Sequence, residues 1–148
     1  MPEMTVEEIK QILPHRYPFL MIDRVLDYEP GLRAIAIKNV SFNEVQFLGH
    51  IPGTPVMPGV LLTELMSQVG MFAILLEECY RGKLLFLDTI NRVALRSLVV
   101  PGDRLLVEAE CESGKDGFFF VSSKITIEGK RACEASLTLR LLEPAHVS

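Results

Sequence analysis

The sequence predicts a single α+β domain, in which an antiparallel sheet curls around one long buried helix. Three observations lead to this prediction. The 148 residues have the length of one domain. An apolar helical pattern runs from Gly59 to about Arg81, and apolar and polar residues alternate with a period of two from Leu105 onward. One core helix with an antiparallel sheet is typical of the α+β class. We therefore expect one domain over residues 1–148.

The first elements along the chain are a short helix and two strands. Thr5 and Glu8 have the spacing of a capping box, which predicts a helix start, and Pro14 should end that helix. Strands are predicted from Met21 to Tyr28 and from Leu32 to Ser41, with a proline-glycine turn between them.

The central helix is predicted from Gly59 to about Arg81, with Gly82 as its stop. Its residues are apolar on nearly every side, which is typical of an internal helix. The apolar stretch from Val56 to Leu76 is long enough for a membrane span. However, a carboxylate such as Glu64 would be costly in the middle of a lone helix in lipid. We therefore expect a buried helix in a soluble core and no membrane span.

The C-terminal half predicts an antiparallel meander of three strands with one buried face. The turns fall at residues 114–117 and 128–130. The predicted inward faces are Leu105, Val107, Ala109 and Cys111; Phe119, Val121, Ser123, Ile125 and Ile127; and Cys133, Ala135, Leu137, Leu139 and Leu141.

Composition excludes several classes of protein. A net charge of −4 without a lysine or arginine run disfavours a nucleic-acid module. The mean hydropathy of +0.28 means that much apolar sequence must be hidden in a core, in a partner or around an apolar ligand. Three dispersed cysteines, Cys79, Cys111 and Cys133, indicate reduced thiols, and the acidic N-terminus has no secretory pattern. We expect a cytoplasmic protein.

Glu64 is the first candidate for chemistry, because glutamate is seldom buried unless it is paired or functional. In one interpretation it faces a solvent-filled groove or pairs with an arginine. In the other, apolar surroundings raise the pKa of this carboxyl and make it a general acid near neutral pH.

His50 and Gly59 bound a loop rich in proline and glycine just before the central helix. His50 is either hydrogen-bonded scaffolding or a general base, since its ordinary pKa of about 6.5 suits that role. The Gly59 amide either donates to an oxyanion at the helix start or belongs to a glycine that eases the turn. His15, His50 and His146 share no metal-ligand spacing, so we expect no metal site. Nucleotide-binding and serine-hydrolase motifs are absent from the sequence.

Three stretches carry a resemblance to a known family. They are residues 13–24 (LPHRYPFLMIDR), residues 49–61 (GHIPGTPVMPGVL) followed by Glu64 and Gln68, and residues 100–103 (VPGD). The chain closely resembles, over essentially its whole length, the (3R)-hydroxyacyl-[acyl-carrier-protein] dehydratases of bacterial fatty acid synthesis. A glutamate rather than an aspartate fourteen residues after the histidine resembles the branch that dehydrates without isomerising.

The resemblance implies a hotdog fold, a homodimer that is often assembled into a trimer of dimers, and no cofactor. It implies that His50 of one subunit and Glu64 of the other face a tunnel at the dimer interface. His50 would remove the C2 proton, the Gly59 amide would stabilise the thioester oxygen, and Glu64 would protonate the departing hydroxyl. The implied partner is an acyl carrier protein whose phosphopantetheine holds the acyl chain.

The chain departs from the family pattern at Ile51, at residues 95–98 (LRSL) and at Leu65 and Ser67. We expect these positions near the tunnel, where they leave the catalytic pair intact but affect the accepted acyl chain. A dehydratase for a specialised acyl group is therefore an alternative. A hotdog acyl thioesterase and a non-catalytic acyl-binding subunit are the other two.

An acidic carrier protein requires positive charge at its docking surface. Arg92, Arg96 and Arg104 near the VPGD turn, with Lys83 at the helix end, are the candidates for that surface. The alternative is that they are ordinary solvated side chains at strand edges.

Overall fold

The computed structural model describes residues 3–142, in which a six-stranded antiparallel sheet wraps around one long helix. This is the predicted α+β class and the hotdog arrangement. In chain order the elements are α1 (Val6–Ile12), β1 (Arg24–Glu29), β2 (Arg33–Asn39), a 3-10 helix (Val45–Leu48), α2 (Gly59–Leu75), a second 3-10 helix (Glu78–Tyr80), β3 (Leu85–Leu95), β4 (Arg104–Ser113), β5 (Phe118–Ile127) and β6 (Lys130–Leu141).

The strand order in the sheet is β1-β2-β4-β5-β6-β3, and every neighbouring pair is antiparallel. The meander of β4, β5 and β6 is confirmed. Because neighbouring strands run in opposite directions, β4 and β6 begin at the same end of the sheet at which β3 and β5 finish. We call this row of strand ends the proximal edge. The crossover of residues 96–103 from β3 to β4 lies there too.

Helix α2 is the internal helix that the apolar pattern predicted, and Leu65, Val69 and Phe72 are completely buried in it. The helix comes so close to β5 at Gly70 that a Cβ there would lie 2.9 Å from both methyl groups of Val121. Glycine is therefore required for this approach. No helix within residues 3–142 combines the length and hydropathy needed to cross a bilayer.

Thr5 is confirmed as the N-cap of α1, because the Glu8 N–H donates to Thr5 Oγ1 over 3.4 Å. The segment after α1 is tied back to the helix by Arg16, whose guanidinium donates to the carbonyls of Lys10 and Leu13, each at 2.9 Å. These bonds hold a stretch that has no regular secondary structure of its own.

Helix α2 ends at Leu75, so the predicted end at about Arg81 was wrong. Continuing the helix would place Glu77 and the next residue, also a glutamate, at its negative C-terminal end, which disfavours carboxylates. Instead the Arg81 guanidinium donates to the carbonyls of Leu75 and Leu76, each at 3.3 Å. The side chain of Arg81, which follows the helix end closely, thus satisfies carbonyls that the helix leaves free.

Strand β3 was not among the predicted strands. Its pairing with β6 shifts register between Leu87 and Thr89 and again between Ile90 and Arg92. Each bulge interrupts the period-two alternation that identifies a strand in a sequence. The two predicted N-terminal strands are confirmed with narrower bounds, because β1 begins at Arg24 and β2 covers residues 33–39.

Candidate active site

The His50 ring is held by hydrogen bonds within its own loop. Its Nδ1 lies 2.8 Å from the carbonyl oxygen of Val56, and the Val56 N–H donates to the His50 carbonyl over 3.2 Å. Between them the amides of Ile51 and Thr54 donate to each other's carbonyls at 3.3 and 2.9 Å. The loop is therefore closed on itself, and the ring is fixed in orientation.

The contact with Val56 determines which nitrogen of His50 can act as a base. A carbonyl oxygen only accepts hydrogen bonds, so Nδ1 must carry the proton in this contact. In the neutral ring Nε2 then holds a free lone pair. The half-buried imidazole thus presents an unprotonated Nε2 for proton abstraction.

Gly59 is the first residue of α2, and no side chain caps this helix start. Its N–H lies in the first turn, where the amides have no intrahelical acceptor and the helix dipole is positive. A Cβ on Gly59 would lie 2.6 Å from Leu95 Cδ1, so the missing side chain makes room for the end of β3. The Met57 N–H donates to the Val99 carbonyl over 2.8 Å, which fixes the helix start at the proximal edge.

The Glu64 carboxylate is partly buried, with 31% of its side chain exposed, and it has polar partners on both oxygens. Gln68 Nε2 donates to Oε1 over 3.1 Å, and Ser67 Oγ lies 3.3 Å from Oε2. The sequence left open whether an arginine pairs with Glu64; within residues 3–142 none does, and the ring of His15 takes that place, with its Nε2 3.7 Å from Oε1. Glu64 is therefore oriented by its neighbours.

His15 and Gln68 are site residues to which the sequence analysis gave no role. Gln68 follows Glu64 by four residues on one helix, and that spacing puts two side chains on the same face; this signal was available in the sequence. His15 is brought to Glu64 only by the path of residues 13–21. The pKa of His15 is lowered overall, because burial and the nearby Arg16 outweigh the Glu64 carboxylate, which raises it.

No hydrogen bond or ion pair joins His50 to Glu64 within residues 3–142 of one chain. Near both groups large apolar side chains are open to solvent: Val60 is 78% exposed and Leu48 is 83% exposed. The other exposed apolar side chains of this region are Ile51, Leu95 and Leu98.

Two of the four predicted docking residues share one carboxylate. Arg92 and Arg96 both pair with Glu134, and Arg131, which the sequence analysis did not select, is a third partner. The hydrogen bond from Arg96 and, after it, that from Arg131 lower the pKa of Glu134. Three guanidinium groups thus share one carboxylate, and the cleft that Arg92 and Arg131 line with it also contains Glu108, Glu110 and Lys124.

The other two predicted docking residues lie at opposite ends of the sheet. Arg104 begins β4 at the proximal edge, next to the crossover, and is exposed. Lys83 lies just before β3 begins, at the far edge, about 30 Å away along a strand of eleven residues. Only the arginines therefore share the edge at which α2 begins.

A cavity of about 460 Å³ lies beside α2. Its walls are residues 17–21, Lys38, residues 43–46 and Leu61. Apolar side chains therefore line it together with the polar groups of residues 43, 44 and 46, and Lys38 forms an ion pair with Glu44. In residues 3–142 no three histidine, cysteine, aspartate or glutamate side chains are grouped so as to hold a metal ion. His146 lies outside the described residues.

Comparison with known sequences gives one consistent result. A family model described as "FabA-like domain" matches residues 13–136. A protein of Syntrophomonas wolfei named 3-hydroxyacyl-[acyl-carrier-protein] dehydratase FabZ is 47% identical over 131 residues, which cover 88% of this chain and 91% of that protein. A protein of the same name from Caldicellulosiruptor saccharolyticus is 48% identical over 132 residues, covering 89% and 94%.

Comparison with solved structures agrees on the fold. A chain of the dehydratase heterocomplex ApeI:P from Xenorhabdus doucetiae superposes with a TM-score of 0.77 at 16% identity, over 94% of this chain and 93% of that one. A hypothetical thioesterase from Streptococcus pneumoniae, solved with coenzyme A, superposes with a TM-score of 0.61 at 15% identity, over 80% and 84%. At such identities the likeness concerns the fold alone.

Proposed function

This chain belongs to the FabA-like family and, within it, to the 3-hydroxyacyl-[acyl-carrier-protein] dehydratases, and from this premise we propose roles for its residues. The enzyme is a hydro-lyase of fatty acid biosynthesis, which removes water from a 3-hydroxyacyl chain on its carrier protein. We propose that the substrate is the (3R) thioester and that the product is the trans-2-enoyl thioester. The reaction breaks the C2–H and C3–O bonds, so the site must supply a base and an acid.

His50 is the base in this proposal, and the observation that carries it is the contact between Nδ1 and the Val56 carbonyl. This contact leaves Nε2 free to take the C2 proton. The substrate thioester makes that proton acidic, because the negative charge that develops is shared with the thioester oxygen.

The Gly59 N–H stabilises that oxygen. It lies at the positive end of α2 and needs no reorganisation to point outward from the helix. Leu95 lies directly beside Gly59 and so forms a wall of the site.

Glu64 is the acid, and it gives its proton to the 3-hydroxyl as the C3–O bond breaks, so that water leaves. Its orientation by Gln68 and Ser67 supports this role, because a proton donor must point at its acceptor. The electrons of the C2–H bond form the C2–C3 double bond. These proton and electron movements balance without a cofactor.

We propose that the complete site forms between two copies of the chain, with His50 from one and Glu64 from the other. The absence of a hydrogen bond or ion pair between them within residues 3–142 of one chain supports this arrangement. So does the exposure of Val60 and Leu48, since apolar side chains at a site entrance are favourable when a partner covers them. Three free cysteines support a cytoplasmic location.

The proximal edge is the proposed docking surface for the carrier protein. Arg92, Arg96 and Arg104 lie at or near this edge, and of these three only Arg104 has no share in the ion pairs of Glu134. Because the helix start with Gly59 lies at the same edge, a carrier bound there would deliver its thioester to the site.

The test of the reaction is a 3-hydroxyacyl pantetheine thioester, with enoyl absorbance and thiol release followed together. We expect enoyl formation without thiol release. His50→Asn keeps an amide N–H that can donate to the Val56 carbonyl but has no base, and Glu64→Gln has no acidic proton. Each should lower kcat by roughly 10²- to 10⁴-fold. Thiol release by the wild type without enoyl product would instead make the protein a thioesterase.

The test of docking compares Arg104→Glu with Lys83→Glu, which makes the same charge change at the far edge. On carrier-bound substrate Arg104→Glu should raise KM several-fold, whereas both variants should match the wild type on free pantetheine substrate. Equal effects of the two variants on carrier-bound substrate would contradict this docking surface.

A further inference from the structure

The two oxygens of the Glu64 carboxylate have different surroundings. Oε1 lies 3.1 Å from Gln68 Nε2 and 3.7 Å from His15 Nε2. Oε2 has Ser67 Oγ at 3.3 Å, and the single hydroxyl proton of Ser67 can go to the Glu64 backbone carbonyl at 2.9 Å. The nitrogens that face the carboxylate are thus both on the Oε1 side.

The orientation of the Gln68 amide is determined by the backbone around it. Its Oε1 accepts from the Met21 N–H over 3.0 Å, and its Nε2 donates to the Phe19 carbonyl over 2.7 Å. The side chain is completely buried, so water does not compete. Nε2 therefore donates to Glu64 Oε1 whether or not the carboxyl carries a proton, and Oε1 is held as an acceptor.

His15 faces the same oxygen. Its Nδ1 is buried and has no hydrogen-bond partner in the described residues, while Nε2 is directed toward Glu64. The pKa of His15 is lowered, mainly by burial. The Glu64 carboxylate opposes this and raises the pKa, whereas Arg16 also lowers it. A neutral ring protonated at Nε2 directs its N–H at Oε1. At 3.7 Å this is an electrostatic contact rather than a hydrogen bond.

We propose that His15 is a positioning residue for the acid, which with Gln68 holds Oε1 of Glu64 as an acceptor and so assigns the donated proton to Oε2. The inference rests on the proposed function, in which Glu64 is the acid. In the reaction the proton leaves Oε2 for the 3-hydroxyl and water departs. The carboxylate that remains keeps the hydrogen bond from Gln68 on Oε1.

The same segment also lines the cavity beside α2. Residues 17–21 form part of its wall, and Phe19 and Met21 are the backbone partners of Gln68. His15 precedes them on a stretch that Arg16 ties to α1. The groups that orient Glu64 and the wall of this cavity thus belong to one piece of chain.

The experiment compares His15→Phe with His15→Gln. Phenylalanine fills the space of the ring without an N–H, whereas glutamine retains an N–H donor and does not titrate. Gln68 is less suited to substitution, because its loss would leave the buried Met21 N–H without a partner. Both His15 variants are measured with 3-hydroxybutyryl pantetheine, beside thermal unfolding as a check on folding.

We expect His15→Phe to lower kcat roughly 10- to 100-fold with KM within two-fold, because the substrate still binds while the acid is misdirected. His15→Gln should recover most of that loss. The proposal is overturned if His15→Phe keeps the wild-type kcat, or if both variants lose the same amount, since the ring would then act through packing alone. The proposed function fails separately, if the wild type forms no enoyl product or Glu64→Gln stays active.

Discussion

Replacing Gly59 with proline removes the one backbone N–H to which the oxyanion role is assigned and leaves the local backbone compatible. Gly59 is the first residue of α2, a position at which proline is favoured. The preceding residue, Pro58, has φ −59° and ψ 138°, which is the conformation that a following proline requires. Gly59→Ala is the matched control, because it adds a Cβ and keeps the N–H.

The structure separates the expected effects of the two variants. In each, the new Cβ would lie 2.6 Å from Leu95 Cδ1. The Leu95 side chain is 57% exposed and can rotate, at a cost of about 0.5–1.5 kcal/mol in stability. Only proline also loses the donor. Loss of an oxyanion donor lowers kcat by about 10²- to 10³-fold, which corresponds to about 2.7–4 kcal/mol in the barrier.

The assay is enoyl formation from a 3-hydroxyacyl pantetheine thioester, with kcat and KM determined for both variants. Urea unfolding is measured at one protein concentration, since assembly makes stability concentration-dependent. We expect Gly59→Ala to remain within a few-fold of the wild type and Gly59→Pro to lose at least 100-fold in kcat. Wild-type kcat in Gly59→Pro would refute the role of the Gly59 N–H. A loss in Gly59→Ala as large as that in Gly59→Pro would show that crowding against Leu95 is responsible.

Three further predictions concern packing, charge and thiols. Gly70→Ala should destabilise the protein by about 1–3 kcal/mol in urea unfolding, and Val121→Ala in the same chain should relieve part of this loss; additive effects would contradict the close approach. Glu134→Gln should be less stable than the wild type at pH 7. The difference in unfolding free energy should shrink as the pH falls below 4.5, because a carboxyl with a lowered pKa stabilises the fold only while it is ionised. A difference that does not change with pH would contradict this. Because burial raises the pKa of Cys111 to about 12, Ellman's reagent should label only the exposed Cys79 in the native protein and all three thiols in urea; native labelling of more than one thiol would contradict this.

The central helix and the C-terminal meander were predictable because their burial follows a simple period. Leu105, Val107 and Ala109 alternate with more exposed residues and are buried, as the pattern indicated. Helix α2 is apolar on nearly every side and is internal. In such elements the local sequence and the tertiary environment favour the same structure.

The end of α2 and the presence of β3 were not predictable in the same way. Arg81 satisfies the last carbonyls of the helix through contacts across a turn, and no local pattern encodes them. The two bulges in β3 shift its side chains from one face to the other, which removes the alternation. The structure at the end of α2 depends on the contacts of Arg81, and that of β3 depends on its pairing with β6.

The sequence by itself determined the fold class and the family, and it identified His50, Gly59 and Glu64 as candidates. It could do so because a capping box, a helical period, a strand period and a spaced motif are all local properties of a chain. Only the tertiary structure decided that Val56 leaves His50 Nε2 free and that His15 faces Glu64. A hydrogen bond depends on where two distant segments meet in space, and that place follows from the packing of the whole domain.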